Sequence, residues 1–386
     1  MNIYKKHILV YDDDLKKCPP ILSVINVLLS NHCELTYVGH CSSKSIIDNF
    51  EKNDVTYKKV PGYEKNESTL KKTKITFKYK NEVKKHLDET YENETLVWFF
   101  GNRNSYILGS LIKSYKSILY LFEFPYALNV PNQLRVVVPF LQYKKEIQKA
   151  WKVICCEYNR AQIVKAYYDL EVDPHVIPNK FFIDEDHIDS FNQDTEIKSI
   201  LERVKNKKVI LYQGILNFPE RRVEELCQAI EYLDESYVIC IMGGDNTERQ
   251  SLVDKYASER VIFLPFISPP KYMLITKIAY IGFLSYFPER SNSIEACINV
   301  LYCAPNKLFE YSRYNIPMIS NNVPALKSSF DQFQAGLCTN EFTPEEIARC
   351  VKEISANYTQ FSSGAKKLFN SVNIKALIEE IIIKSE

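Results

Sequence analysis

The sequence predicts an α/β protein of two domains, each a parallel sheet wound by helices on both faces. Three observations carry this expectation. The chain has 386 residues, a length that favours two domains, each with its own core. Up to Pro178, short apolar runs alternate with helical patterns, the order that parallel sheets require. The alternation then stops across a polar, acid-rich stretch and starts again at Lys207.

In chain order, residues 7–11 (His-Ile-Leu-Val-Tyr) read as a first strand and residues 20–29 as an apolar helix. Residues 34–38 read as a second strand, and the order continues through 96–100, 106–114, 118–122 and 153–156. A last strand, 175–178, is followed by Asn179. The first domain is therefore placed at residues 1–180 and an interdomain linker at 181–206. The second domain is placed at 207–364, with strand–helix alternation to about Ser355, and residues 374–384 read as a helix within a terminal segment, 365–386. No internal repeat at a solenoid period is apparent.

Composition narrows the function classes. With 46% hydrophobic and 25% charged residues, the chain is globular and not disordered. A net charge of +1 gives no support for nucleic-acid binding. The 11 cysteines contain no CxxC pair, and the six histidines do not cluster near them. Cys155 and Cys156 are adjacent and Cys297 and Cys303 are separated by five residues; neither is a zinc signature, so reduced, buried thiols in a cytosolic protein are expected. Met1 to His7 run straight into a strand with no signal peptide apparent, and no apolar run approaches the roughly 18 residues that span a bilayer. The expected location is cytoplasmic, with any membrane contact peripheral, on the inner face of the plasma membrane. One surface would suit that contact: eight lysines between Lys65 and Lys85 lie among Tyr, Phe and Ile residues. They form either a solvated face or a basic surface for anionic lipid or a lipid-diphosphate acceptor.

The most chemically informative stretch is Ala304-Pro305-Asn306-Lys307-Leu308-Phe309-Glu310-Tyr311, followed by Asn315-Ile316-Pro317-Met318-Ile319-Ser320. Pro305 and Asn306 are helix-start residues. The free amides and positive dipole end of such a helix suit phosphate, and Lys307 adds a full cation there. Glu310, at i+3 from Lys307, shares its face. A cation for a diphosphate beside a carboxylate for sugar hydroxyls is what a nucleotide-sugar site needs. The plain alternative is an amphipathic helix with a solvated Lys–Glu pair.

The segment resembles the donor-site helix of the retaining GT-B glycosyltransferases of family 4. Three upstream stretches are similar to the strands of that family's nucleotide-binding domain: residues 209–216 with the following Arg221-Arg222-Val223-Glu224-Glu225-Leu226, residues 238–245, and residues 261–266. The Val176-Ile177-Pro178-Asn179 ending also resembles that of the family's first domain. The likeness covers the C-terminal half well and the N-terminal half loosely. It implies a GT-B fold, two Rossmann-like doubly wound domains facing a central cleft, with the terminal helix crossing back to the first domain. It places Gly214, Arg221, Arg222, Gly243, Phe266, Asn306, Lys307, Leu308 and Glu310 at the donor. Arg221 or its neighbour Arg222 would face the phosphates, Gly214 would either let backbone approach the ligand or simply form the strand-to-helix turn, and Glu310 would hold the ribose. The likeness breaks at Tyr302, where the family often carries a second Glu for the donor sugar. Glu289, Asn292 and Asn299, in the irregular stretch after residues 281–284, are the substitutes the sequence offers.

In the first domain, Asp12-Asp13-Asp14 after an apolar strand suggests a metal-dependent transferase motif, but a role in capping the helix at Pro19-Pro20 explains it better, and no metal is expected. The same loop lacks the glycines of a dinucleotide fingerprint, which argues against a dehydrogenase. Glu123 falls at a strand's C-terminal end, where ligands collect in open α/β sheets, and either positions or deprotonates an acceptor hydroxyl or caps the core edge. Asn102 and Arg103 sit at the corresponding edge of the preceding strand.

The resemblance thus implies a retaining, metal-independent glycosyltransferase without a resident cofactor. Its co-substrate would be a nucleotide sugar, with UDP favoured and GDP open. Its acceptor would be a hydroxyl on a cell-surface polysaccharide, capsule or lipid-linked glycan; oligomeric state is not legible. Two alternatives stand beside it: a degenerate GT-B subunit serving a partner transferase, and a nucleotide-sugar epimerase. The second is disfavoured because all six histidines precede residue 188.

Overall fold

Strands covered on both faces need apolar side chains at every position, and the two longest such runs, Thr95–Phe100 and Tyr237–Met242, are buried throughout. The computed structural model describes residues 2–62, 68–125, 145–288 and 293–384. It divides the chain into two units, one of Met1–Phe182 with Asn373–Glu386 and one of Ile183–Val372.

Among the described residues, the first unit holds a parallel seven-stranded sheet. Its strands are β1 (Lys6–Asp14), β2 (Glu34–His40), β3 (Thr56–Lys59), β4 (Thr95–Phe100), β5 (Ser117–Leu121), β6 (Lys152–Cys155) and β7 (His175–Val176), in the order β3-β2-β1-β4-β5-β6-β7. Trp98 and Phe100 stack at 5.9 Å, and the Trp98 indole donates to His7 Nδ1 at 3.1 Å. His7 Nε2 lies 3.0 Å from the Tyr4 carbonyl, and burial lowers the imidazole pKa to about 4, so this is a neutral core histidine. The closing segment joins the opening one. The helix Ile374–Ile381 is tied there by a 2.8 Å bond from Asn31 to Glu379, and the residues just after it by a 2.9 Å bond from Tyr4 N to Ile382 O and an antiparallel bridge between Ile3 and Ile383.

The acidic triplet differs from expectation. β1 continues through Asp14, and the helix Pro19–Ser30 has Cys18 at its N-cap with no side-chain bond, so the acids do not cap it. Asp12 instead pairs with Arg103 at 3.1 Å, and its buried carboxyl is raised to about 6 by desolvation that the guanidinium only partly offsets. Asp14 accepts from the Ser42 amide at 3.0 Å and from its hydroxyl, and caps the turn Leu15–Lys17 through Lys16 N. The expected helix at 106–114 is two short helices, Asn102–Ile107 and Gly109–Ile112.

The second unit holds β8 (Lys208–Gln213), β9 (Tyr237–Met242), β10 (Val261–Leu264), β11 (Ala279–Leu284), β12 (Met318–Asn321) and β13 (Gly336–Thr339), all parallel, in the order β10-β9-β8-β11-β12-β13. Two cores cover its faces. Val209, Leu211, Val238 and Cys240 enter one, while Ile210, Tyr212, Ile239 and Ile241 enter the other, which is the two-residue alternation of a pleated strand.

The stretch expected as a linker folds into this unit. It forms the helices Glu185–Asp189 and Thr195–Arg203, and Ile188, Ile197 and Ile200 are buried in the core. Asp194 caps the second helix, accepting from Glu196 N at 3.0 Å and Ile197 N at 3.2 Å. The acids that suggested a solvated linker lie at caps and on outer faces, with the isoleucines at helical spacing beneath them. The terminal segment begins at Asn373 and not at residue 365, because the helix Tyr358–Asn370 packs Ala365 and Leu368 into the second unit.

Candidate functional site

In an open parallel sheet, ligands gather beyond the strand ends where the winding reverses. In the second unit that point lies between β8 and β11, and the polar groups there come from β8, β11, the helix Asn306–Arg313 and the segment before the helix Met273–Lys277.

β8 ends at Gln213, and Gly214 follows with φ +139°, a conformation that L side chains rarely adopt. A Cβ at this position would stand 2.5 Å from Lys307 Nζ and 2.6 Å from its Cε. The glycine therefore admits the Lys307 side chain, a contact beyond the ligand approach or plain strand-to-helix turn that the sequence suggested. Gly243 serves the same packing, since a Cβ there would lie 2.6 Å from the Gly214 carbonyl oxygen. We expect Gly214→Ala to destabilise the protein by about 1–3 kcal/mol through backbone strain and this collision. On a Lys307→Ala background the loss should shrink to the strain alone, which a double-mutant denaturation cycle would measure.

Two cations converge on aromatic rings. Lys307 Nζ lies 5.4 Å from the Tyr212 ring centroid and 5.7 Å from that of Tyr286, and the Arg221 guanidinium lies 4.2 Å from the Tyr286 ring. Tyr286 is held by Asn321, which accepts from its amide at 2.9 Å and donates to its carbonyl at 2.7 Å. Arg221 donates to the Glu220 carbonyl at 2.9 Å. Among the described residues neither Lys307 nor Arg221 forms an ion pair within 4 Å. Desolvation, reinforced by the Arg221 charge, brings the Lys307 pKa down to about 7.

The helix Asn306–Arg313 has Pro305 at its N-cap, with no side-chain bond to its first amides. Asn306 is thus the first helical residue and not the cap; the Leu308 amide donates to the Pro305 carbonyl at 3.2 Å, and no side chain caps the dipole end. Glu310, one turn on, is 6% exposed, and both of its oxygens are engaged. Gln213 Nε2 donates to Oε2 at 2.5 Å and the Tyr272 hydroxyl donates to Oε1. Thr276 in turn donates to Gln213 Oε1 at 2.8 Å, which fixes the amide so that its NH2 faces the carboxylate. Burial raises the Glu310 pKa, and these donors, with Lys307, oppose the shift. Leu308 lies buried in the core beside this turn. Chemically, the arrangement offers a polyvalent anion two basic groups that have no ion pair among the described residues, a helix N-terminus, and beside them a carboxylate whose remaining lone pairs can accept hydroxyls.

The other expected residues stand elsewhere. Arg222 is held by Glu225, with Nε to Oε1 at 2.7 Å, and lies over the Phe287 ring. Phe266 follows β10 by two residues and is 58% exposed. Asn299 lies on a helix, Ile294–Leu301, and not in an irregular stretch; Tyr302 is that helix's C-cap. Glu289 and Asn292 lie outside the described residues. In the first unit Glu123 is exposed, and its amide donates to Asn102 Oδ1 at 3.3 Å. Sequence reasoning missed Gln213, Tyr272, Thr276, Tyr286 and Asn321. Only Gln213 left a signal, as a polar residue closing an apolar strand before a glycine.

No family profile and no curated protein matches this sequence. Solved structures do. HepE of Anabaena, determined in complex with UDP and glucose, superposes with a TM-score of 0.66 at 13% identity, over 98% of each chain. Sucrose-phosphate synthase of Thermosynechococcus elongatus gives 0.67 at 11% identity over 97% of each chain. The putative UDP-N-acetylglucosamine 2-epimerase of Listeria monocytogenes gives 0.62 at 12% identity, over 97% of this chain and 93% of that one. At these identities the shared property is the fold: the chain has the GT-B fold, with two Rossmann-like α/β units.

Proposed function

We propose that this protein is a glycosyltransferase that moves a sugar from a nucleotide donor, UDP favoured over GDP, to a hydroxyl acceptor. The observation that carries the reading is the pair of basic groups, Lys307 and Arg221, which have no ion pair among the described residues and converge on the Tyr286 ring at the start of the helix Asn306–Arg313. Such a site supplies what a departing diphosphate needs, and no metal is required of it. Glu310, held in place by Gln213 and Tyr272, would accept the ribose hydroxyls. The HepE structure contains UDP and glucose in this same fold, which supports a uridine carrier. In the reaction the bond from the anomeric carbon to the diphosphate oxygen breaks as the acceptor oxygen bonds to the same face of that carbon. The acceptor's proton passes to the leaving phosphate, so that configuration is retained. A growing cell-surface glycan, free or lipid-linked, is the acceptor class this reading adopts from the family resemblance.

The test is thermal unfolding with UDP, GDP, CMP and dTDP. A nucleotide at about 100 times its dissociation constant should add roughly 2.7 kcal/mol of stability. A response to UDP supports the reading. No response to any nucleotide in a folded sample would replace it with that of a catalytically degenerate subunit.

The titration of Lys307 gives a second expectation. Its folded-state pKa of about 7 lies below the ordinary 10.5, so between these values the unfolded chain binds the extra proton. In the empty protein this lysine therefore makes stability rise with pH from about 7 toward 10. Binding runs the other way. A diphosphate favours the ammonium, so UDP binding should take up a proton above pH 7, and affinity should fall by up to about tenfold per pH unit there. Calorimetry in buffers of differing ionisation enthalpy reads the proton directly; a flat profile from pH 7 to 9 would contradict it.

A further inference from the structure

The first unit carries a helix, Thr69–Thr90, whose two faces have opposite characters. Thr76, Tyr79, Val83 and Leu87 are buried against the unit. The opposite face exposes Leu70 at 78% and Phe77 at 47%, two turns apart, with exposed Lys74 between them. Exposed Lys71 and Lys78 flank this row. The helix is also electrically divided along its length. Its first thirteen residues contain five lysines and no acid, whereas further on Lys84 pairs with Asp88 and Lys85 with Glu89, and Lys78 reaches forward to Glu82 at 3.7 Å.

We propose that this outward face docks on an anionic lipid bilayer, with Leu70 and Phe77 entering the headgroup boundary and the N-terminal lysines meeting lipid phosphates. The combination selects this occupant. A solvated helix gains nothing from an exposed Phe and Leu on one row, and a nucleic-acid surface would want the lysines without them. Both features together make an interfacial helix, whose binding draws on apolar burial and on attraction to negative lipid. No helix among the described residues is long and apolar enough to cross a membrane. The expected basic surface began at Lys65, which lies outside the described residues; the proposal rests on the helix alone. It is independent of the nucleotide site, which belongs to the second unit.

Flotation of the full chain with vesicles tests it. Binding is expected to phosphatidylcholine vesicles containing phosphatidylglycerol, and to weaken at raised salt. Each lysine replaced should weaken it about fivefold, so Lys74→Gln with Lys78→Gln should give a loss on the order of tenfold or more. Leu70→Ser with Phe77→Ser should give a loss of similar size, with unfolding temperature and nucleotide response unchanged in both variants. The proposal is overturned if the mixed vesicles are not bound, or if binding survives both pairs of substitutions. Equal binding to a soluble polyanion such as polyuridylate, indifferent to the serine pair, would also overturn it, in favour of a nucleic-acid surface.

Discussion

Lys307→Met should lower the affinity for UDP about 10- to 100-fold, the worth of one hydrogen bond from a charged donor, while leaving the empty protein as stable as before or more so. The two halves of this result have one cause. Methionine keeps an apolar stem where the lysine passes over Gly214 and the Tyr212 ring, and removes a cation that burial and Arg221 already disfavour. A side chain kept for packing would behave oppositely, with lower stability and unchanged binding. Isothermal titration for affinity and chemical denaturation for stability separate the cases. Lost stability with unchanged affinity would remove Lys307 from the donor site.

Glu310→Ala should be the more damaging change to the fold, by about 2–4 kcal/mol. The alanine leaves the Gln213 amide and the Tyr272 hydroxyl without their acceptor in a buried site, and each orphaned donor carries a desolvation penalty of about 1–3 kcal/mol. For a unit of this size the unfolding temperature should drop by on the order of 5–10 °C. Tyr272→Phe removes one donor and keeps the carboxylate satisfied by Gln213, so its loss should stay near 1 kcal/mol. A Glu310→Ala protein as stable as the wild type would mean that the carboxylate is not held by this network.

The fold was legible because strands covered on both faces write themselves as apolar runs, as in residues 95–100 and 237–242. What was not legible had mixed chemistry. The edge strand β3, Thr-Tyr-Lys-Lys, pairs through its backbone on one side only and carries no apolar signature. The helices over 185–203 were hidden because acids at their caps outnumber the isoleucines that bury them. The candidate site divides along the same line. Lys307, Glu310 and Gly214 sit on one helix and one turn, so their neighbourhood can be read locally. Their supports cannot: Tyr272 reaches Glu310 from 38 residues away and Gln213 from 97. The crowding of Gly214 was hidden for the same reason, since it comes from Lys307, distant in sequence.

The antiparallel bridge between Ile3 and Ile383, with the bond from Tyr4 N to Ile382 O, also sets a timetable for biosynthesis. The second unit is made from one uninterrupted stretch and can close as soon as that stretch has emerged. The first unit, although begun earlier, must wait with an uncovered flank on the helix Pro19–Ser30 until residues 373–384 have been synthesised. During translation the order of completion is therefore the reverse of the order of the genetic message.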